Sequence, residues 1–480
     1  MISTFLREQK RYTQKELCAA LKNKNESEED TLKLIRKLKE YGILKTVKAS
    51  DIQKDMSDLV EEDIEVADVE AGENEYLYVF TFVGVITVAG RVLKCYPKYL
   101  INKSEPVEEL RQVLKVLEKY NSKEQIIRMF HDSSESQSFN LLAVILFLLT
   151  DYYENGSYNN TEDVIESNGS GEILWDKTIN ETFTLLSNNR PYYTDLQTKK
   201  RVSDDYDYFK RLHECVLTKA SKELSDADLM NLFEITEVDL SDEDIDDFGD
   251  KEYILYRIEK ELNVQFNTRK QLVLKTLYTY IDKSGSLFDI DCLSMFGTNS
   301  FNLVWEDVCK VILDNQLEMP LGALKLPVLL KTGYDRKTKL IDLIEKPHWT
   351  ATGLDAKDTL IPDSISIADS RFVISDAKYY VAKLETGQPP KAMPGIESVT
   401  KQYLYQLAYK EFIAAHDFAE IVNCFILPTE GDVVIDKGEV NMNMLKNLGL
   451  QDIKVRLLPA EKAYGYYLSG RKMAISELKL

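Results

Sequence analysis

Histidine and paired cysteine are scarce in this 480-residue chain. It has four histidines, and its six cysteines (Cys18, Cys95, Cys215, Cys292, Cys309 and Cys424) contain no C-x-x-C pair. That scatter argues against a zinc site or a disulfide framework and for a reducing cytoplasm. Also missing is a G-x-x-x-x-G-K-[ST] phosphate loop, so the chain is not expected to hydrolyse ATP or GTP by itself. The N-terminus, MISTFLREQK, lacks the apolar core of a signal peptide. The most apolar run, Leu141 to Leu149, is too short to span a bilayer and reads as a buried helix. No internal repeat is visible.

Positive charge is short as well. Sixty Lys+Arg against 80 Asp+Glu leave a net charge of −20, the wrong sign for a protein that grips nucleic acid over a wide surface. The imbalance is local. Residues 1–50 carry 12 basic and 7 acidic residues and residues 291–480 carry 22 and 25, so 26 and 48 fall between 51 and 290. The acid concentrates in Glu61 to Glu75 and Glu234 to Glu252, which read as solvated connectors. At this length two or three domains are expected.

The residues with the most chemistry lie in Ile361 to Tyr380, IPDSISIADSRFVISDAKYY. Ser364 to Ile367 and Arg371 to Val381 are rich in Ile, Val, Phe and Tyr, and Ala368-Asp369-Ser370 between them is turn-like, so an antiparallel hairpin is expected. A turn over 368–371 pairs Ile367 with Phe372, which sets Asp363 opposite Asp376 with Cβ atoms roughly 5 Å apart on one face. Lys378, two residues further on, shares that face. Facing like charges destabilise a sheet, and a divalent cation would compensate them. Mg²⁺ suits the pair, being a hard ion held by one or two carboxylates together with waters and phosphate oxygens. It would activate a water and offset transition-state charge, with Lys378 orienting the attacking water. The competing reading is a pair of solvated strand acids. The triplet alone is weak, because Glu8 to Lys10, Asp335 to Lys337 and Asp355 to Lys357 match it too.

Two helices flank the hairpin. Phe301 to Leu317 has a buried stripe of Val304, Trp305, Val308, Val311 and Ile312, with Glu306 beside it. Glu397 to Ala415 is expected to turn Leu404, Leu407, Ala408 and Phe412 inward, leaving Gln402, Gln406 and Tyr409 on another face. Near the N-terminus, amphipathic helices over Thr13 to Ala20 and Glu28 to Tyr41 end at Gly42 and precede a strand, the pattern of a winged helix-turn-helix. Lys33, Arg36, Lys37 and Lys39 would supply phosphate contacts there, although such modules also dock proteins. Tyr76 to Gly90 and Arg91 to Tyr96 alternate poorly and read as buried strands. Between 105 and 290 the best helices are Pro106 to Phe130, Ser138 to Tyr153, Asp204 to Leu224 and Lys251 to Lys283, with a loop over Asn155 to Gly171.

Pro362, Asp363, Asp376 and Lys378 resemble the signature of the PD-(D/E)XK nuclease superfamily. FGTNSFNLVWEDVC, IEKPHW, LIPDSI and ISDAKYY look, more narrowly, like the LlaJI family of restriction endonucleases, which are similar to the McrC subunit of McrBC systems. GEILWDKTI and FVGVITVAGRVLKCYPKYL are also McrC-like. The resemblance implies an α+β multidomain chain: a winged-helix-like and β-rich region over 1–104, a mainly helical McrC-like region over 105–287, and a PD-(D/E)XK nuclease domain over 288–480. It implies a Mg²⁺-dependent endonuclease of a restriction system acting on double-stranded DNA. Asp363, Asp376 and Glu306 would be metal ligands, Lys378 would sit at the water, and Gln402 or Gln406 would touch DNA or brace the site. It also implies a McrB-like AAA+ GTPase as a separate chain. The second acid is aspartate where the superfamily more often has glutamate. The rival readings are a catalytically silent nuclease-fold adaptor that activates a motor, and a winged-helix DNA-binding regulator.

Overall fold

The computed structural model describes residues 2–23, 26–48, 76–121, 140–203, 207–283, 287, 293–385 and 387–480. Two compact units emerge, Met1–Gln137 together with Met295–Leu480, and Ser138–Ser294. Both mix helices with strands.

The first unit opens with strands β1 (Ile2–Arg7) and β2 (Arg11–Tyr12) and helices α1 (Gln14–Leu21) and α2 (Glu28–Glu40). Local chemistry fixes where the helices start. The Thr13 hydroxyl accepts the Glu16 N–H at 3.2 Å while the Glu16 carboxylate accepts the Thr13 N–H at 2.9 Å, a reciprocal capping box. Ser27 caps α2 through the Asp30 N–H. Gly42, at φ +68°, ends the second helix as its position in the sequence implied. Strands β3 (Leu44–Lys48) and β4 (Tyr76–Phe80) then form a three-stranded sheet with β2, in the order β2-β4-β3. The acidic run 61–75 lies outside the described residues.

Strands β5 (Val83–Val88) and β6 (Arg91–Tyr96) are buried along their whole length, as their poor alternation foretold. They turn back through Ala89 and Gly90, both at positive φ. Helix α3 (Val107–Tyr120) follows, and the part of its expected range beyond 121 is outside the described residues. Strand β7 (Leu293–Thr298) completes the sheet β1-β6-β5-β7. Here glycine is obligatory on both sides of one crossing. A Cβ on Gly84 would lie 2.1 Å from the Phe296 carbonyl oxygen, and one on Gly297 would lie 2.1 Å from that of Val83.

After helix α4 (Phe301–Ile312) comes the sheet that carries the candidate site. Its strands are β8 (Ser364–Ala368), β9 (Arg371–Ala377), β10 (Glu420–Thr429), β11 (Ile435–Val440) and β12 (Ile453–Pro459), in the order β8-β9-β10-β12-β11. The two central pairings, β9 with β10 and β10 with β12, are parallel and the outer two antiparallel. A parallel step needs a crossover. Helices α5 (Ile396–Ala408) and α6 (Lys410–Ala415) lie in the connection from β9 to β10, and α7 (Ala460–Ser469) follows β12. Ile365, Phe372 and Ile374 on one sheet face pack with Tyr405 of α5, Phe412 of α6 and Tyr409 at the junction between the two helices.

Two expectations for these helices need correction. Helix α4 stops at Ile312 rather than Leu317, and Asp314 adopts φ +55° just beyond it. In α5 the inward face is not the leucine face, since Leu404 and Leu407 are 44% and 41% exposed while Gln402 and Gln406 are buried. The interior strands β9 and β10 offer hydrogen-bond partners that make buried amides tolerable.

The second unit contains helices Leu141–Asn155, Tyr208–Asp226, Lys251–Val264 and Thr268–Asp282. It also contains two small sheets, one pairing Thr161–Ser167 and Glu172–Ile173 with Gln197–Ser203, the other a hairpin of Thr184–Ser187 with Arg190–Tyr193. The expected loop over Asn155 to Gly171 is therefore partly strand; its Gly, Asn and Ser residues hide a β-prone core of Thr161, Val164 and Ile165. The expected single helix from Lys251 to Lys283 is two. Asn267 breaks it by accepting the Lys270 N–H as an N-cap. Among the described residues no helix is long and apolar enough to cross a membrane.

Candidate active site

The hairpin register is the one read from the sequence. Ile367 pairs with Phe372 and Ser364 with Ser375, and the two-residue turn at Asp369 and Ser370 has positive φ at both positions. Continuing the register sets Asp363 across from Asp376. Buried Pro362 leads into Asp363, whose side chain turns back over the hairpin so that Oδ2 accepts the Ala377 N–H at 2.9 Å. Asn315 secures the same strand end by accepting the Ile365 N–H at 3.1 Å.

Asp376 is 5% exposed, and its Oδ2 lies 2.9 Å from the Lys378 Nζ. Burial pushes its carboxyl up to about 7, and the neighbouring Asp363 charge and a hydrogen bond between the two carboxyls act in the same direction. Glu306, half-buried on α4, is pushed up to about 6 by burial and then by Asp363. Burial works against the Lys378 ammonium, but Asp376, Asp363 and Glu306 outweigh it and hold its pKa above the ordinary lysine value. Glu306, Asp363, Asp376 and Lys378 thus influence one another electrostatically across two secondary-structure elements. Asp363, Asp376 and Lys378 are brought together, while Glu306 acts on them through its charge and does not join the two aspartates in a three-acid metal group.

Gln402 and Gln406 are used as braces. The Gln402 Nε2 donates to the Ile374 carbonyl at 2.9 Å, two residues before Asp376. Gln406 Oε1 accepts from Asn423 Nδ2 at 2.7 Å and from the Gln451 N–H at 2.9 Å, tying α5 to β10 and to the approach to β12. Both are buried, so neither is placed to touch DNA. Sequence reasoning missed Tyr405, a buried neighbour of both aspartates: burial raises its hydroxyl pKa, and Asp376 and Asp363 add to the rise. Its placement three residues after Gln402 on one helix face was the available signal.

The N-terminal basic residues lie elsewhere, on α2. Lys33 and Arg36 are exposed and Lys37 is half-buried. Lys33 faces Glu29 at 3.9 Å and Asp30 at 3.5 Å, and the first turn of α2 holds Glu28, Glu29 and Asp30. That turn presents negative charge.

Among the described residues no group of three or more His, Cys, Asp or Glu side chains is arranged to enclose a metal ion. A closed zinc-type shell is therefore not formed among them. Two hard carboxylates in contact, with surplus negative charge, instead fit an ion that completes its shell with water and substrate oxygens.

The class is that of the restriction endonucleases. The chain belongs to the LlaJI restriction endonuclease family, whose model matches residues 82–458. It is 27% identical over 416 residues to the type II restriction enzyme BsuMI component YdjA of Bacillus subtilis (strain 168), a match covering 83% of each protein. Among solved structures it is similar to a Thermococcus gammatolerans assembly of McrB AAA+ hexamers with bound McrC, at 12% identity and a TM-score of 0.40 over 98% of this chain and 99% of that one. A second likeness is to the McrBC complex of the same organism, at 14% identity and a TM-score of 0.26 over 63% and 84%. Both likenesses are too distant to carry over a site or a partner.

Proposed function

We propose that this chain is the DNA-cutting subunit of a restriction system, a Mg²⁺-dependent endonuclease with a PD-(D/E)XK-type centre. The observation that carries the reading is the convergence at one hairpin end of buried Asp376, of Asp363 anchored on the Ala377 N–H at 2.9 Å, and of Lys378 2.9 Å from Asp376. An acid pair kept at such electrostatic cost points to a task. Asp363 and Asp376, with Glu306 in reserve, would hold the ion, which when bound supplies an activated water and neutralises phosphate charge. The chain's own groups do the rest. The Ala377 N–H anchors Asp363, Gln402 steadies β9, and the Lys378 ammonium orients the nucleophilic water and stabilises negative charge on the phosphoryl oxygens.

The chain has no phosphate loop and is acidic overall, so DNA selection and movement would fall to a McrB-like AAA+ GTPase in a separate chain, as the sequence resemblance implies. Plasmid nicking with Mg²⁺, with and without that motor, comparing wild type with Asp376→Ala and Lys378→Ala, tests the proposal. Cleavage by wild type alone among the three supports it. Equal cleavage by all three removes the site assignment, and no cleavage by any with motor and cognate DNA present favours the silent adaptor.

A further inference from the structure

One residue past Lys378 a second buried network begins. Tyr379 is 6% exposed, and its hydroxyl donates to Glu8 Oε2 at 2.5 Å. Glu8 immediately follows β1, 371 residues away in sequence, and is 5% exposed. The same Oε2 accepts the Lys98 N–H at 3.2 Å, and that N–H also lies 3.3 Å from the Tyr379 hydroxyl. The Lys98 ammonium sits 4.7 Å from the centre of the Tyr379 ring and donates to Gln9 Oε1 at 2.9 Å. The ring also packs against Phe301, the first residue of α4, at 5.3 Å between centroids. The network thus grips both the residue after Lys378 and the start of the helix that presents Glu306.

We propose that Glu8 and Tyr379 are positioning residues for the cleavage centre, so that the N-terminal segment holds the catalytic strand end in working geometry. The inference rests on the nuclease reading above. Strand β9 ends at Ala377, and the Lys378 N–H continues its pairing with β10 by donating to the Ile426 carbonyl at 2.9 Å. Successive side chains in extended backbone point to opposite faces. Fixing Tyr379 on one face therefore fixes the rotation that directs Lys378 to the other, beside Asp376. An apolar pair of the same shape would fill this space without desolvating a carboxylate. What the carboxylate adds is a directional hydrogen bond, which specifies one orientation of the tyrosine.

The test uses the full chain with its motor partner and a double-mutant cycle of Tyr379→Phe, Glu8→Leu and the pair, alongside Glu8→Gln and Asp376→Ala. Tyr379→Phe keeps the ring packing, and circular dichroism establishes that each variant is folded. Under single turnover with saturating DNA, Tyr379→Phe and Glu8→Leu are expected to slow cleavage about ten- to a hundredfold, the scale of a misplaced catalytic group. The pair should lose no more than either single change, and Glu8→Gln, which keeps an acceptor, should recover part of the rate. A merely structural bond would lower the unfolding temperature and leave the rate per folded molecule unchanged, and that result overturns the proposal. Asp376→Ala separates the two ideas: if it also cuts normally the nuclease reading itself has failed. Mn²⁺ binding followed by electron paramagnetic resonance repeats the comparison without cleavage. Weaker binding in Tyr379→Phe supports the positioning role, and binding equal to wild type contradicts it.

Discussion

The hairpin centre and helix α2 both attract attention for their charge, and they handle it in opposite ways. On α2, Lys33 meets Glu29 and Asp30 one turn away in open water, where solvent and salt screen such pairs and they contribute little. At the hairpin, Asp363 and Asp376 are pressed together with Asp376 almost wholly out of solvent, and Glu306 adds a third acid nearby. Exposed charge costs little and so says little about purpose. Buried like charge destabilises the fold and points to a task performed there.

The largest expected effect tests that contrast at its sharpest point. Asp376→Asn removes one of the two repelling carboxylates, so it should abolish cleavage, by about 10³-fold or more, while raising the unfolding temperature of the metal-free protein at pH 8 by roughly 2–4 °C. Scanning calorimetry checks the second part. A lower unfolding temperature would mean that the acid pair is stabilising and the contrast wrong.

The pH dependence arises from the same carboxyls. Asp376 at about 7 and Glu306 at about 6 lie above their ordinary values, so the folded chain binds more protons than the unfolded chain in between. Stability from these groups is fully present below about pH 4 and is lost as pH rises through 6 to 7. Metal-free chain should thus lose stability between pH 5 and 8 at this site, and Asp376→Asn should flatten that loss. Cation binding needs the deprotonated acids, so Mg²⁺ should protect the wild type at pH 8 far more than at pH 5.5. Urea unfolding across the pH range with and without Mg²⁺ measures both.

Gln402→Leu is expected to cost about 0.5–1.5 kcal/mol in urea unfolding, because it removes the amide's bond to the Ile374 carbonyl, which keeps its place in the β9–β10 ladder. An unchanged midpoint would remove the bracing role. The smallest effect belongs to α2, where Lys33→Ala should change stability by less than about 0.5 kcal/mol. If α2 touches phosphates, Lys33→Ala and Arg36→Ala should each weaken DNA binding and lower the salt slope by about 1. An unaltered slope assigns α2 another role.

Much of the site was legible because a hairpin obeys period-two arithmetic. Once Asp369 and Ser370 are placed in the turn, Asp363 must face Asp376 and Lys378 must follow on the same side. The start of α4 and the stripe from Val304 to Ile312 were readable for a similar reason. The face of α5 was not, because periodicity marks leucines as buried without knowing that the Ile374 carbonyl and Asn423 would draw Gln402 and Gln406 inward. The sheets of the second unit were obscured by short strands set among Gly, Asn and Ser. The approach of Glu8 to Tyr379 across 371 residues leaves no local trace at all.

The most direct test sets the two regions against each other in one single-turnover cleavage assay, with the motor partner present and DNA saturating. Asp376→Asn should be inactive while the Lys33→Ala, Arg36→Ala double variant cuts at the wild-type rate. Cleavage by Asp376→Asn, or loss of the chemical step in the α2 variant, would contradict the assignment of catalysis to the buried acid pair.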